Sequence, residues 1–416
     1  MEKIVIELNQ KVTILKQFLS VLKIRIQNFL QRSNHVIPMY ITYNDFFKCD
    51  KILNYFGFTF LPNYLETNLK FQRIHSQIAF IGMVILGLHS TISFIIAGIE
   101  VKNVDKNFIF TALENLAMSG VFINIFMRVL LVLFLHRKVL IEIITRMDQH
   151  YPHSGIDQMN FETEKYLKLM KVFHFVLLIP FSEMCTQFCL TPFAHKLYGY
   201  FWSVDVEWEP LLAVFYPFDQ QQWFIYWPFY LIQSWLVTFT VYISNAMDLL
   251  YSSMTNVLVM EFENLSQIIS EIDWDDDDNG EAEEAAMKEL KILINVHNEL
   301  CDIATELRKI FSPLMFFNVF ASIVTLCVLA FLVVSGINNY FLIKFSTPLI
   351  GVFIQIFVYC YFGDRLAESS NGVADGVYNS DERLKNQRIP RYSLSSETWS
   401  IKNKIHCKFS KLFLNY

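Results

Sequence analysis

Long uncharged runs alternate with charged connections along this chain. No Asp, Glu, Lys or Arg lies between Arg73 and Glu100. Crossing hydrocarbon takes about 20 mostly apolar residues in a helix, so this run predicts a first span over 78–99. A second follows over 108–135 and carries Glu114 and Arg128. The stretch between Lys171 and Lys196, broken only by Glu183, gives a third over 172–193. The stretch between Asp219 and Asp248 gives a fourth over 223–247. Lys309 to Lys344 holds a fifth over 314–335, and a sixth follows over 345–362 before Asp364. In lipid the backbone must satisfy its own hydrogen bonds, so each run reads as a helix.

A seventh candidate, 391–416, is degenerate. It contains Arg391, Glu397, Lys402, Lys404, Lys408 and Lys411, and each charge near a bilayer centre costs about 2.5–3.5 kcal/mol on insertion scales. Ile401, Ile405, Phe409 and Phe413 repeat every four residues, the spacing of a basic amphipathic helix at an interface. At the other end, Ile4, Leu8, Val12, Leu15, Leu19, Leu22, Ile26 and Phe29 recur at helical spacing beside Lys11, Lys16, Lys23 and Arg25. That helix fits a membrane surface or the protein's own base. No secretory signal peptide is expected.

Composition agrees with this pattern. Of 416 residues, 53% are hydrophobic and 18% charged, and phenylalanine occurs 40 times. A water-soluble chain carries about 25% charge. Mean hydropathy is +0.33. The net charge of −6 argues against a nucleic-acid partner, and 13 glycines with 11 prolines are too few for a many-turned β fold. The fold class is an all-α polytopic transmembrane bundle, six clear spans plus a degenerate seventh.

Lys and Arg favour the cytoplasmic side. Residues 1–75, 136–171 and 251–313 carry twenty, and the alternate loops 100–107, 194–222 and 336–345 carry four. That places the amino terminus in the cytoplasm, opposite to G-protein-coupled receptors. The Asn264-Leu265-Ser266 triplet then falls inside. The domain reading is a cytoplasmic region 1–75, a bundle 76–362 with a cytoplasmic loop 251–313, and an atypical segment 363–416.

Chemical motifs are sparse. No GxxxxGK[ST], GxGxxG, HExxH or GxSxG occurs, so no enzyme activity or cofactor is expected. The seven cysteines form no CxxC pair, and Cys185 and Cys189, four apart, read as packing residues with no metal role. Asp275, Asp277, Asn279 and Gly280 match the first positions of an EF-hand loop, but Ala286 stands where a bidentate Glu belongs. A solvated acidic loop is the expectation.

Polar residues inside spans need a reason. Glu183 follows Pro180, whose ring removes a helical bond and frees a carbonyl. His89, Glu114, His174, Gln187, Gln233 and Gln355 read either as interhelical hydrogen-bonding residues or as parts of a ligand cavity. Arg128, near the inner end of the second span, is expected to snorkel. Aromatic residues crowd the ends of the third and fourth spans, among them Phe188, Tyr198, Trp202, Trp223, Phe224, Tyr226, Trp227 and Tyr230. They suit an interfacial belt or an aromatic-walled pocket for small apolar ligands.

Local patterns then resemble a known family. They are Phe215-Tyr216-Pro217-Phe218-Asp219 before the fourth span, Ile294-Asn295-Val296-His297 leading through Leu307 to Phe311-Ser312, and Gln355 through Tyr359-Cys360-Tyr361-Phe362-Gly363, then Leu366, Ser369-Ser370 and Tyr378. In this order, and with the inverted topology, they resemble insect odorant receptors over roughly residues 40–381. The resemblance implies a subunit of an odorant-gated nonselective cation channel in the plasma membrane of olfactory sensory neurons. It implies a heterotetramer with a shared coreceptor and a small volatile apolar ligand. It implies a pore lined by the last helix and a pocket in the outer half of the second, third, fourth and sixth spans. Candidate pocket residues are Met118, Phe122, Glu183, Phe188, Phe224, Tyr226, Tyr230 and Phe345.

After Asp381 the sequence departs from the family pattern. Glu382–Pro390 stands where the family has a tryptophan and a cytoplasmic helix. Tyr392 to Trp399 again resembles the start of the family's pore helix. The alternatives are a gustatory-type receptor, whose C-terminal Thr-Tyr…Gln-Phe signature is not found, and a membrane transporter, for which no internal symmetry is visible.

Overall fold

The computed structural model describes residues 41–55, 60, 69–99, 106–202, 222–272, 281–334 and 339–386. The amphipathic stretch 1–32, the tyrosine-proline motif 215–219, the acidic positions 273–280 and the segment 391–416 lie outside the described residues. No strand occurs among those described.

A short 3-10 turn, Tyr43–Phe46, precedes helix α1 (Cys49–Tyr55). The Thr42 amide and hydroxyl both donate to the Asp45 carboxylate, at 3.0 and 2.7 Å, and close that turn. Then come α2 (Leu69–Ile99) and α3 (Lys106–Arg128), which continues as a π-helix over Val129–Leu135. Next are α4 (Arg137–His150), α5 (Gly155–Asn160) and α6 (Thr163–Trp202). The long helices α7 (Trp223–Glu271), α8 (Glu281–Val334) and α9 (Asn339–Asn386) complete the fold. The six long helices are α2, α3, α6, α7, α8 and α9. Each covers most or all of one charge-poor run read from the sequence, and most extend past it.

The surface of the bundle explains why it needs lipid. On α2, Ile74, Ile78, Ile81, Ile85, Leu88, Ile92 and Ile95 are all exposed and spaced three and four apart, so they form one outward stripe. Phe316, Phe320, Ile323 and Phe331 continue this surface on α8, and Phe353 and Phe357 on α9. Among the described residues, α7, α8 and α9 are each long and apolar enough to cross a membrane. Residues 119–135 and α4 pass the same test as a pair bent by 68°.

Helix α7 has 49 residues, about 74 Å at 1.5 Å per residue, more than twice a hydrocarbon core of about 30 Å. Its second half enters a wide base. Every residue from Ile243 to Phe262 is buried, as expected for a helix surrounded on all sides. Helices α1, α6, α8 and α9 pack around it. Helix α4 joins them through Leu140, Ile143, Ile144 and Met147.

Buried hydrogen bonds fasten the earliest described segment to this base. Gln158 accepts from the Ile41 amide at 2.9 Å and donates to the carbonyls of Ile41 and Pro152 at 2.7 and 2.9 Å. The Tyr43 hydroxyl donates to the Ile144 carbonyl at 3.0 Å. Burial, with the charges of Asp148 and Glu261, holds that phenol well above its ordinary value, so it stays a donor.

Candidate functional site

Two features of the bundle carry polar or aromatic chemistry. The first lies between α6 and α7, towards the end away from the base. Tyr226 and Tyr230, one turn apart on α7, stack at 5.4 Å between ring centroids. Trp227 sets its edge against both, at 5.6 and 5.8 Å, and meets Phe193 of α6 at 6.3 Å. Both tyrosines are buried. The Tyr230 hydroxyl donates to the Cys189 carbonyl, close to Pro192, whose missing N–H interrupts the helical ladder of α6. The Cys185 thiol lies 3.3 Å from the Thr238 hydroxyl, and Ser182 and Tyr242 pair at 3.1 Å. The result is an aromatic wall backed by a seam of small polar groups.

The sequence-derived pocket residues fall at different places around this wall. The structure brings Tyr226 and Tyr230 together. Phe122 is buried in the α2–α3 seam, where a Cβ on Gly87 would come within 3.2 Å of its own Cβ. Phe224 is exposed beside Trp223, and Glu183 is exposed on α6. The side chains of Met118, Phe188 and Phe345 lie outside the described residues.

The second feature is a buried polar cluster closer to the base. Arg128 of α3 meets Asp248 of α7 at 2.7 Å, with their side chains 3% and 1% exposed. The same carboxylate accepts from Gln355 and Tyr359 of α9, each at 2.5 Å. Arg128 also donates to Ser244 at 3.2 Å, and its guanidinium lies 5.9 Å from the Tyr359 ring centroid. Tyr359 in turn packs on Tyr251, and Tyr251 on Phe311 of α8. Four of the long helices therefore meet here.

This arrangement corrects the expectation that Arg128 snorkels. A guanidinium reaches for water only when no closer counter-charge exists, and Asp248 provides one at the same depth. The sequence held a signal for this: opposite charges near the inner ends of two spans. Gln355 acts as an interhelical hydrogen-bonding residue. His174 donates from Nδ1 to the Met170 carbonyl of its own helix, 2.8 Å away.

Further down, Arg365 of α9 pairs with Glu263 of α7 at 2.5 Å, and the Tyr166 hydroxyl of α6 bonds the same carboxylate. Burial and that carboxylate push the Tyr166 phenol up. Arg146 and His150 of α4 reach Glu306 and Glu299 of α8, at 2.9 and 3.3 Å. Among the described residues, no group of three or more His, Cys, Asp or Glu is placed to hold a metal.

Comparison with known proteins now gives this arrangement a family. The sequence model of the 7tm Odorant receptor family matches residues 109–381, well over half of the chain. The chain belongs to this odorant receptor family. The match ends where the sequence departs from the family pattern, after Asp381. The chain is similar to Odorant receptor 45a of Drosophila melanogaster, 29% identical over 161 residues, which are 38% of this chain and 40% of that relative. It is similar to Odorant receptor 13a of the same species, 26% identical over 223 residues, 53% of this chain and 52% of the relative. The chain thus spans about half or less of the length of these two curated relatives.

The solved structure of the insect olfactory receptor OR5 from Machilis hrabei in complex with eugenol superposes with a TM-score of 0.64. It covers 94% of this chain and 99% of that one at 15% identity. At that identity the likeness establishes the fold, an odorant receptor fold in a multi-pass membrane protein. Gln355 and Tyr359, which belong to the motif resembling the family, are the two α9 residues that hold Asp248.

Proposed function

We propose that this odorant receptor family member is the ligand-binding subunit of a heteromeric, odorant-gated, nonselective cation channel. In this reading its base lies in the cytoplasm and its partner is the family's shared coreceptor. The observation that carries the ligand part is the wall of buried Tyr226 and Tyr230 with half-buried Trp227, facing α6. Stacked rings offer apolar area and a quadrupole to a small aromatic or aliphatic molecule, with few polar groups to satisfy. A structural neighbour holds eugenol, a small phenol of this class. Of the sequence candidates, Tyr226 and Tyr230 line this wall, and Met118, Phe122, Phe188 and Phe345 are proposed around it from the family resemblance. Glu183 and Phe224 are proposed at its rim.

Orientation follows from charge. At the base, Lys138, Lys165, Arg308 and Lys309 are exposed. The loops 100–107, 194–222 and 336–345, which the charge pattern assigns to the other side, carry only Lys102, Lys106, Lys196 and Lys344. This asymmetry supports a cytoplasmic base. In mechanism, a ligand with higher affinity for the open state shifts a closed–open equilibrium by its differential affinity.

The test is whole-cell recording from cells expressing this chain with the coreceptor, the chain alone, and the coreceptor alone, with a panel of small phenols, esters and alcohols. Inward current evoked only in the first case supports the reading. A silent pair beside a responding control receptor, with the chain at the surface, contradicts it. So does odorant uptake without conductance, which would favour a transporter.

A further inference from the structure

We propose that Arg128 and Asp248 are positioning residues that set the rotation of α3 against the base, and through it the closed–open equilibrium of the proposed channel. Two independent features point there.

The first is the π-helix over Val129–Leu135, which begins at the residue after Arg128. Its ladder includes the His136 amide donating to the Leu131 carbonyl at 2.9 Å, five residues back. A π segment accommodates one residue more than an α-helix does over the same rise, and such segments concentrate at functional sites. Below it the chain turns by 68° into α4. That helix is fixed by its buried face and by the Arg146–Glu306 pair. Relaxation of the segment to α-helix with α4 held would turn the helix above it by about 100°, one residue's rotation. Arg128 would then leave Asp248. The two registers are discrete and mutually exclusive, which is what a two-state element requires.

The second feature is that the clasp is incomplete. Asp248 receives three donors, but Nε and Nη2 of Arg128 have no hydrogen-bond partner although the residue is 2% exposed. Unpaired donors on a buried guanidinium are costly. The observed register is therefore held chiefly through Asp248, at a cost that a fully bonded guanidinium would not carry. Phe122, one of the sequence-derived pocket residues, sits six positions above Arg128 on the same helix, so a ligand pressing on α3 acts on the rotation that the clasp resists.

The inference rests on the channel reading for its electrical readout and not for its structural one. The structural arm is hydrogen–deuterium exchange of the full chain in lipid nanodiscs. Asp248→Asn and Arg128→Gln are expected to raise exchange at 129–136 by about tenfold or more. The double variant is expected to add little to either. Arg365→Gln, which removes a charge pair between α7 and α9 lower in the base, is expected to leave 129–136 unchanged. The electrical arm compares variants with the coreceptor at matched surface amounts. Asp248→Asn is expected to shift the half-maximal odorant concentration, or the current without odorant, by about tenfold.

Tyr359→Phe keeps the ring over Arg128 and removes one donor to Asp248. It decides the matter if the charge variants fail to reach the surface, with an expected shift of about threefold. Unchanged exchange at 129–136 in Asp248→Asn, or in Tyr359→Phe where it must stand in, overturns the proposal. So does altered exchange with unaltered odorant response and unaltered resting current. If the unmodified chain carries no current with any odorant, the channel reading fails, and the exchange arm alone decides the register.

Discussion

Ser266 and Gly376 lock α7 to α9 at the base through a gap that admits no side chain. A Cβ on Gly376 would stand 2.6 Å from the Ser266 carbonyl oxygen and 2.8 Å from its hydroxyl. That hydroxyl donates to the Gly372 carbonyl at 2.8 Å, one turn away. The Gly372-Val-Ala-Asp-Gly376 run therefore lets two backbones approach as small residues do wherever helices cross closely.

Gly376→Ala is expected to destabilise the base by about 1–3 kcal/mol, because the nearest obstructing atom is a backbone carbonyl oxygen that cannot swing aside. Gly82→Ala is the contrast. Its added Cβ meets the terminal methyl of Leu236 at 2.6 Å, a flexible group that can change rotamer. Thermal unfolding of the two purified variants in one detergent should show the larger fall for Gly376→Ala. An equal or smaller fall would show that α7 and α9 can separate at this crossing without cost.

The buried ion pair supports a stability prediction distinct from its proposed role in gating. Removing one partner leaves an uncompensated charge, so Asp248→Leu or Arg128→Met alone should cost about 3–5 kcal/mol. The double apolar variant should recover most of that loss. Surface expression and unfolding temperature of the three variants check this, and a double variant as unstable as the singles would contradict it.

Gln158 satisfies three backbone groups with one side chain. Gln158→Ala should leave the Ile41 amide and the Pro152 carbonyl without this partner and cost about 1–3 kcal/mol. Limited proteolysis with mass spectrometry should show earlier cleavage near residues 41–48. Unchanged cleavage would mean that Tyr151, whose hydroxyl also donates to the Ile41 carbonyl at 2.9 Å, suffices to hold the segment.

Tyr226→Ala removes a buried ring from the aromatic wall and should raise the half-maximal concentration for aromatic odorants by about tenfold or more, with resting current unchanged. Tyr230→Phe, which keeps the ring and loses only the bond to Cys189, should shift it less. Concentration–response curves at matched surface amounts read both. A larger effect from Tyr230→Phe would place the polar seam, not the rings, at the centre of recognition.

Much of this architecture is written in the chain, and what is not has a physical reason. Helices in lipid are found by scarcity of charge, and the six charge-poor runs fall on the six long helices. The same rule ended the fourth span at Asp248, whereas α7 continues to Glu271 because protein, not lipid, surrounds it there. Hydropathy weighs each residue alone and read Arg128 as a residue seeking water. Its partner is 120 positions away, and such a pairing leaves no local period to detect. The π turn is hidden for the same reason: Val129-Leu-Leu-Val-Leu-Phe-Leu135 is uniformly apolar and fits an α-helix equally well. Tyr226 and Tyr230 stand in the sequence within the aromatic run at the start of the fourth span. The outward placement of Glu183 and Phe224 depends on how α6 and α7 rotate against each other, which composition does not encode.

The orientation of the bundle governs everything proposed about ligand access. An epitope placed directly after Met1 and a second one next to Trp202, probed on intact and then permeabilised cells, measure it. The cytoplasmic-base reading predicts that antibody reaches the Trp202 epitope on intact cells and the Met1 epitope only after permeabilisation. Labelling of the Met1 epitope on intact cells would invert the bundle, turn the aromatic wall toward the cell interior, and contradict the account.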